Sequence, residues 1–372
     1  MSACTDGRHR SRRKEKTRQS DAGRRANHDR ERRPALLSPI SESSIILVTP
    51  PLVEVTEDCV RSQADAGRGF IVGAPRSGTT LLINLVAAHP EIAPVYETAF
   101  VRNLLLLCDR NAHAPDDGFL PGIRRYFHGP RSKKNSSRFV AKVLPAYRSP
   151  AQRKYGKTKD EFFPFGNRCI EYNFCELVHE TAQFAGALAG RNGNSIDPFI
   201  LGRRYLDRLF AIHCSRMNRP YWVNKTPSLV RCLDLLHRMY PECAMIHIVR
   251  DGRDVALSTT TVRSGPNNVV DAARRWKEMV LSGRRFAQNR RYLEVRYEKL
   301  IAAPEKIMDS VFSLLGFSPS AAGKLPGLRV YGHRENVWRD RMAPQDKRDF
   351  DKVAGDLLVE LGYENNNRWA KE

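Results

Sequence analysis

The chain alternates short apolar runs with longer stretches whose apolar residues recur at helical spacing. Phe70-Ile71-Val72 and Ala244–Val249 are near-continuous apolar runs, a pattern typical of parallel strands buried on both faces of a sheet. Shorter runs at 92–97 and 221–227, and the alternating run at 292–297, predict further strands. Because helical stretches separate these strands, we expect an α/β fold with three layers, in which helices cover both faces of a central, mainly parallel sheet.

The longest interruption of this alternation lies between the second and third predicted strands. Residues 98–220 show helical periodicity at 170–188 and 200–217 but no regular strand pattern. We interpret this stretch as a mainly helical insertion that forms a lid and an acceptor pocket, although helices packed there only as core would show the same pattern. Further helices are predicted at 229–239, 255–263, 271–288, 304–316 and 345–361.

Composition separates a basic tail from the rest of the chain. Residues 1–34 hold twelve Lys and Arg against five Asp and Glu and almost no apolar residues, which predicts a disordered tail. We assign residues 1–66 to this tail and a linker, and residues 67–365 to the folded domain. The whole chain has a net charge of +21, so the domain is basic too, which suits an anionic ligand. Contact of the tail with nucleic acid or another polyanion is an alternative function, but the tail lacks interleaved aromatic residues and any recognition motif.

Other classes of protein fit the sequence less well. No run approaches the ~18–20 apolar residues of a membrane span, and the N-terminus lacks the apolar segment of a signal peptide. The eight cysteines form no CxxC pair and no His/Cys cluster at metal spacing, so we expect free thiols and no metal site. These features together predict a cytoplasmic protein.

A glycine loop after the first strand is the main candidate for ligand binding. Gly73-Ala74-Pro75-Arg76-Ser77-Gly78-Thr79-Thr80 connects that strand to a helix, so backbone N–H groups and the positive helix end converge on one anion. The loop has both glycines of the P-loop spacing G-x-x-x-x-G-K-[ST], with Thr80 at the hydroxyl position. Thr79 occupies the lysine position, and Arg76 supplies a cation from within the loop. The fold is therefore predicted to be P-loop-like, with a phosphate held by residues 76–80.

A second anion site is predicted where the strand at 244–249 ends. Arg250 follows that strand, and Ser258 lies eight residues later, two turns into the next helix. Arg250 could pair with a second phosphate while the Ser258 hydroxyl donates to it. The alternative is an ion pair within the loop, Arg250 with Asp254 or Arg253 with Asp251. Ligands of parallel sheets bind beyond the carboxyl ends of strands, so two such corners favour a nucleotide with phosphates at both ends of its ribose.

These motifs resemble those of the sulfotransferases that use 3′-phosphoadenylyl sulfate. Residues 74–80 are similar to the family's 5′-phosphosulfate loop, residues 249–258 to its 3′-phosphate motif, and residues 292–300 to the segment that follows. The resemblance covers 69–97 and 221–362 and is weak in 98–220. It implies that the chain moves the sulfuryl group of this donor to an acceptor hydroxyl by in-line transfer, without a metal.

Within the family, the sequence is closest to the tyrosylprotein and bacterial-type branch. There a Glu at the position of Glu97 is the general base, and a Lys in the Asn224-Lys225-Thr226-Pro227 corner assists at the transferred group. The resemblance thus implies catalysis by Glu97, Lys225 and Arg76, and donor binding by Arg76, Ser77, Gly78, Thr79, Thr80, Arg250, Ser258 and Tyr297. From the residues alone, Glu97 could instead form a salt bridge to Arg102 or another base, Lys225 could be a surface lysine, and Tyr297 could be a packed strand residue.

Two questions follow from the resemblance. A P-loop nucleoside or sugar kinase is the alternative enzyme, but it would need a lysine at position 79 and a magnesium-binding carboxylate where Arg250 ends the buried strand. The acceptor is expected to be a carbohydrate, a lipid or a secondary metabolite, because a tyrosylprotein enzyme of the secretory pathway would carry a membrane anchor that this sequence lacks.

Overall fold

The computed structural model describes residues 67–113, 174–189, 196–262, 265–318, 335–366 and 369–371. The basic tail, the linker and the middle of the 98–220 stretch lie outside these residues. The assignment of 1–66 to a tail and linker therefore stays a prediction.

Within the described residues, five strands form one parallel sheet, which confirms the predicted fold class. They are β1 (Arg68–Gly73), β2 (Ile92–Tyr96), β3 (Tyr221–Lys225), β4 (Ala244–Val249) and β5 (Tyr292–Arg296), in the spatial order β2-β3-β1-β4-β5. β1 is central, with Ile71 opposite Lys225 of β3 and Gly73 opposite Ile248 of β4. This register brings the carboxyl ends of β1, β3 and β4 to one edge of the sheet, where the predicted polar corners lie.

The predicted helices appear in order, with small differences at their ends, but three further helices, Ala99–His113, Tyr297–Ala302 and Val337–Arg341, were not predicted. The helices are α1 (Thr79–Val86), α2 (Ala99–His113), α3 (Phe174–Ala189), α4 (Pro198–Met217), α5 (Leu233–Met239), α6 (Gly252–Thr260), α7 (Val269–Arg284), α8 (Tyr297–Ala302), α9 (Pro304–Leu315), α10 (Val337–Arg341) and α11 (Pro344–Glu360). The stretch predicted as one helix at 229–239 is a 3₁₀ turn (Pro227–Cys232) followed by α5. α6 begins three residues earlier than predicted, because the Asp251 side chain caps it by accepting from the backbone N–H of Arg253.

Two hydrophobic layers sandwich the sheet, which gives the predicted three-layer arrangement. Successive residues of a strand face opposite sides, so Phe70 and Val72 point into one layer and Ile71 into the other. The layer on Ile71 is covered by α1, α8 and α9, and the layer on Phe70 and Val72 by α2, α4, α5, α7 and α11. Helices therefore cover the sheet on both of its faces.

The described helices of the insertion pack as core on the sheet. Phe210 of α4 lies 4.5 Å from the Trp222 ring of β3, measured between ring centroids. Arg208 of α4 forms a two-pronged ion pair with Glu180 of α3. Such contacts are expected if α4 serves as part of the core. The acceptor pocket stays a prediction.

Two further findings concern thiols and membranes. Cys108, Cys214, Cys232 and Cys243 are free and buried, as the cysteine spacing predicted for them. No helix in the described parts of the chain combines the length and the apolar character needed to cross a bilayer.

Candidate active site

The glycine loop folds tightly around two positions that only glycine fits. Gly73 and Gly78 have φ angles of 149° and 97°, in the region that disfavours other residues. A Cβ atom on Gly73 would collide with the carbonyl oxygen of Ile248 in β4. On Gly78 it would lie 2.9 Å from Cε2 of Tyr297, with Cδ2 of that ring closer still. The loop is thus pressed against β4 and Tyr297, which fixes where its amides point.

The loop has the features of an anion cradle. Thr79 and Thr80 open α1, and no side-chain cap and no acidic residue occupies its first turn among the residues that the structure describes. Ser77 is fully buried, and its Oγ has no hydrogen-bond partner in the described chain. Buried hydroxyls are normally hydrogen-bonded, so an unpaired one beside a helix start without a side-chain cap fits a phosphate oxygen. The residues present therefore suit the 5′-phosphate end of a nucleotide.

The two predicted anion corners form one continuous site. Nε of Arg76 donates to Oγ of Ser258 at 2.9 Å, across 182 residues of chain. Nη1 of Arg250 donates to the backbone carbonyl of Arg76 at 3.2 Å. The sequence placed Arg76 in the first corner and Arg250 with Ser258 in the second, and the structure joins all three residues directly.

Tyr297 lies between the corners. It is buried, it contacts Gly78, and the guanidinium of Arg250 lies 4.6 Å from its ring centroid. Tyr297 is the first residue of α8 and does not belong to β5. The alternative of a packed strand residue was therefore correct that the side chain is packed, but wrong that it lies on a strand. Its ring holds Arg250 against the loop through a cation–π contact.

Both ion pairs that were alternatives for the second corner are present. Nη2 of Arg250 contacts Oδ2 of Asp254 at 3.1 Å, and Nη2 of Arg253 contacts Oδ2 of Asp251 at 2.7 Å. Arg253 is wholly buried, with its guanidinium 3.6 Å from the ring centroid of Trp338 and 4.5 Å from that of Trp369. Arg253 is therefore a structural clamp. Arg250 pairs with Asp254 and also donates to the carbonyl of Arg76, so it still lies at the junction of the two corners.

Asp254 was predicted only as a partner in this ion pair, yet it also binds the C-terminal segment. Its Oδ2 also accepts from the backbone N–H of Asn336 at 3.0 Å, and its Oδ1 from that of Trp338 at 3.0 Å. Burial raises the pKa of Asp254, and the positive charge of Arg250 opposes that shift. Residues 336–338 are thus fastened to the arginine of the second corner, in the segment 333–339 for which the sequence assigned no ligands. The short spacing between Arg250 and Asp254 was a signal for their ion pair, whereas no local pattern indicated the contacts with residues 336 and 338.

The two residues expected to do the chemistry contact each other. Nζ of Lys225, at the end of β3, donates to Oε1 of Glu97 at 2.6 Å. The Lys225 side chain is 3% exposed, so the alternative of a surface lysine is wrong, whereas the Glu97 side chain is 58% exposed. The alternative in which Glu97 forms a salt bridge with a basic residue is correct, but the partner is Lys225 instead of Arg102. A buried cation holding a solvent-facing carboxylate can serve both a developing negative charge and an incoming hydroxyl proton.

Glu97 has a strained backbone. Its φ angle is 37°, in the left-handed region that costs a non-glycine residue on the order of 1–3 kcal/mol. Its N–H donates to the carbonyl of Lys225 at 2.7 Å. Strain of this size persists only where neighbouring contacts enforce it, so the position of this carboxylate is imposed by the surrounding structure.

Comparisons with known proteins agree on one family. Residues 70–154 and 168–320, more than half of the chain, match the model of the sulfotransferase family. These ranges include both anion corners, Glu97, Lys225 and Tyr297. The chain is 24% identical to nodulation protein NoeE of Sinorhizobium fredii over 346 residues, which cover 82% of this chain and 67% of that protein.

Two solved structures, both from bacteria, are among those that match this chain. The sulfotransferase domain of the olefin synthase of Synechococcus PCC 7002 is 16% identical, with a TM-score of 0.44, and the match covers 80% of this chain and 96% of that one. Sulfotransferase STF9 from Mycobacterium avium is 13% identical, with a TM-score of 0.41, and the match covers 82% of this chain and 79% of that one.

Proposed function

The chain belongs to the sulfotransferase family, and from this premise we propose that it transfers the sulfuryl group of 3′-phosphoadenylyl sulfate to a hydroxyl of a carbohydrate, a lipid or a secondary metabolite. The observation that carries the proposal is the direct contact of Arg76 with Ser258 and of Arg250 with the Arg76 carbonyl. A nucleotide with phosphates at both ends of its ribose needs two anion sites at a fixed separation. These contacts fix the separation between the two corners.

The donor would be held by the two corners. The amides at the start of α1, together with Ser77, Thr79 and Thr80, suit the 5′-phosphate, because a helix start and buried hydroxyls there supply donors to an anion. Arg250 and Ser258 suit the 3′-phosphate, and Tyr297 keeps Arg250 in place. Residues 67–365 are the proposed sulfotransferase domain.

Lys225 and Arg76 are the proposed stabilisers of the transferred group. Sulfuryl transfer is an in-line displacement in which negative charge grows on the oxygen that leaves with the nucleotide. Cations fixed in advance at such an oxygen stabilise the transition state more than the ground state. Lys225 is buried and fixed by Glu97, and Arg76 is fixed by Ser258, so neither side chain has to be reorganised from a random position.

Glu97 is the proposed general base. Its carboxylate faces solvent at the carboxyl edge of the sheet, where an acceptor hydroxyl can approach. Proton removal by a positioned carboxylate typically accelerates such a step by ~10²–10⁴-fold. The contact with Lys225 keeps this carboxylate beside the group being transferred.

Sulfuryl transfer is favoured over the kinase alternative. Arg250 directly follows β4, at the place where a P-loop kinase would use a carboxylate to hold magnesium. Position 79 is threonine, at the start of α1, so the lysine that grips β- and γ-phosphates is missing from its place.

The test is a transfer assay with ³⁵S-labelled donor and a panel of carbohydrate, lipid and small-molecule hydroxyl acceptors. Wild-type chain should label at least one acceptor, and Lys225→Met should lower that rate by at least ~10²-fold. Lys277→Met is the matched control, because Lys277 pairs with Asp356 between α7 and α11, away from both corners. Phosphate transfer from labelled ATP with Mg²⁺, without sulfuryl transfer, would refute the proposal in favour of a kinase.

A further inference from the structure

Three buried polar side chains next to the Glu97–Lys225 pair form a closed hydrogen-bonded ring. The members are Thr98, Asn224 and Thr226, each at most 3% exposed. Asn224 Nδ2 donates to Thr98 Oγ1 at 2.7 Å, and Thr226 Oγ1 donates to Asn224 Oδ1 at 3.0 Å. The two threonine hydroxyls lie 3.2 Å apart and close the ring.

The direction of every hydrogen bond in the ring follows from counting protons. A threonine hydroxyl has one proton, and that of Thr226 is given to Asn224. The proton between the two hydroxyls therefore belongs to Thr98, which donates to Thr226. Each member donates once and accepts at least once within the ring. Such cyclic networks strengthen each bond, and removing one hydroxyl breaks the whole circuit.

The ring takes over where the β2–β3 ladder stops. That ladder ends with Tyr96 opposite Lys225. Beyond it, the backbone N–H of Thr98 is accepted by Oγ1 of Thr226 at 3.0 Å. Thr98 directly follows Glu97, and Asn224 and Thr226 stand on either side of Lys225. The ring thus joins the residue after the base to both neighbours of the cation.

The strained conformation of Glu97 depends on these anchors. With φ at 37°, Glu97 is held on one side by its own N–H on the Lys225 carbonyl and on the other by the ring through Thr98. If the Thr98 anchor is lost, Glu97 can relax to the ordinary negative φ. Its carboxylate then leaves Lys225, because the side chain of a residue turns with its backbone.

We propose that Asn224 and Thr226 are positioning residues for sulfuryl transfer, which hold Glu97 in its left-handed conformation so that its carboxylate stays against Lys225. This inference rests on the proposed function for its catalytic meaning. The side chains of both residues bond within the ring, and the anion corners lie after β1 and β4, at the starts of α1 and α6. Loss of the ring should therefore lower kcat and leave donor binding intact.

The decisive variants are Thr226→Val, which keeps the volume and removes the hydroxyl, and Thr226→Ser, which keeps the hydroxyl. Thr226→Val should lower kcat by ~10–100-fold, the size of effect that a misplacement near 1 Å produces, with the donor KM within about twofold of wild type. Thr226→Ser should recover most of kcat. Thr98→Val breaks the same ring from the other side and should show the same split between kcat and KM, so a failure of one variant to fold does not end the test.

The matched control is Tyr292→Phe, which removes a half-buried hydroxyl outside the insertion. The Tyr292 hydroxyl of β5 lies 2.7 Å from Nδ1 of His247 in β4. This control should lose thermal stability but keep wild-type kcat. A Thr226→Val enzyme with kcat within twofold of wild type, a Thr226→Ser enzyme as slow as Thr226→Val, or a Tyr292→Phe enzyme as slow as either would overturn the inference.

A structural arm separates this inference from the proposed function. Crystal structures of wild type and Thr226→Val should show Glu97 at positive φ in the first and negative φ in the second, with the Glu97–Lys225 ion pair broken only in the second. If wild type transfers no sulfuryl group, the proposed function fails, and the ring is judged by these structures alone. An unchanged Glu97 in Thr226→Val would refute the ring's role whatever the activity.

Discussion

Replacing Gly78 with alanine tests how strongly the glycine loop depends on its neighbour Tyr297. Gly78 has a φ angle of 97°, and left-handed backbone costs alanine roughly 1–2 kcal/mol. The new Cβ would also stand 2.9 Å from Cε2 of Tyr297, and closer to Cδ2, where carbon atoms normally approach to ~3.5–4.0 Å. Forcing an extra methyl into a packed site costs about 1–3 kcal/mol.

These two effects together predict a loss of roughly 2–5 kcal/mol of unfolding free energy, out of the 5–15 kcal/mol that is typical of a domain. Tyr297 cannot yield freely, since it is buried and stacked on Arg250 at 4.6 Å. Any shift of the ring therefore moves the arginine of the second corner. Binding of 3′-phosphoadenosine 5′-phosphate should weaken by at least ~10-fold, a loss of about 1.4 kcal/mol.

The assays are urea unfolding and titration calorimetry with that nucleotide. Gly362→Ala is the matched control, because Gly362 has a φ angle of 72° and no atom within 4 Å of the Cβ position. It should lose only the roughly 1–2 kcal/mol of the backbone effect and should bind nucleotide normally. In the double variant with Tyr297→Ala, the alanine at position 78 should cost less than it does alone, because its clash is gone. Equal losses for Gly78→Ala and Gly362→Ala, or strict additivity in the double variant, would refute the steric argument.

Four other outcomes follow from the site and its surroundings. Glu97→Gln should lower kcat by ~10²–10⁴-fold while calorimetry shows unchanged nucleotide affinity, and equal losses of both would remove Glu97 from the role of base. Lys225→Arg should keep less than a tenth of kcat, measured in the same transfer assay, because a planar guanidinium does not fit a buried ammonium site. Asp254→Asn should weaken nucleotide binding in calorimetry by ~10-fold, since Arg250 loses its charge partner and the amides at 336 and 338 lose an anionic acceptor; unchanged affinity would refute this link. Burial lowers the pKa of His213 to about 4, so the folded chain excludes a proton that the unfolded chain binds below ~6.5, and urea unfolding free energy should fall as pH drops from 6.5 towards 4, by up to ~1.4 kcal/mol per pH unit. His213→Gln should flatten that slope by one proton.

The sequence predicts the sheet well because its signals are local. Buried parallel strands such as Ala244–Val249 need continuous apolar runs, and the helices between them need apolar residues at helical spacing. The glycine loop is equally local, since strand, turn and helix start are adjacent in the chain. The predicted start of α6 was three residues too late. The apolar periodicity begins at Val255, but the Asp251 side chain caps the helix and lets it begin at Gly252.

The arrangement of the site residues was harder to predict, because it depends on register between distant segments. Glu97 and Lys225 are 128 residues apart, and their contact requires Tyr96 to pair with Lys225 in the β2–β3 ladder. No local pattern encodes that register. The ring through Thr98 and the attachment of the C-terminal segment to Asp254 were missed for the same reason.

The order of the strands separates Glu97 and Lys225 from the second anion corner. β2 and β3, which carry Glu97 and Lys225, lie on one side of β1, whereas β4, which leads to Arg250 and Ser258, lies on the other. The long insertion connects β2 to β3, so it begins and ends on the first side of β1. The sequence of that insertion can therefore change without altering a residue of either anion corner. The region between β2 and β3 can thus diverge among related chains while β1, β4 and α6 stay constant.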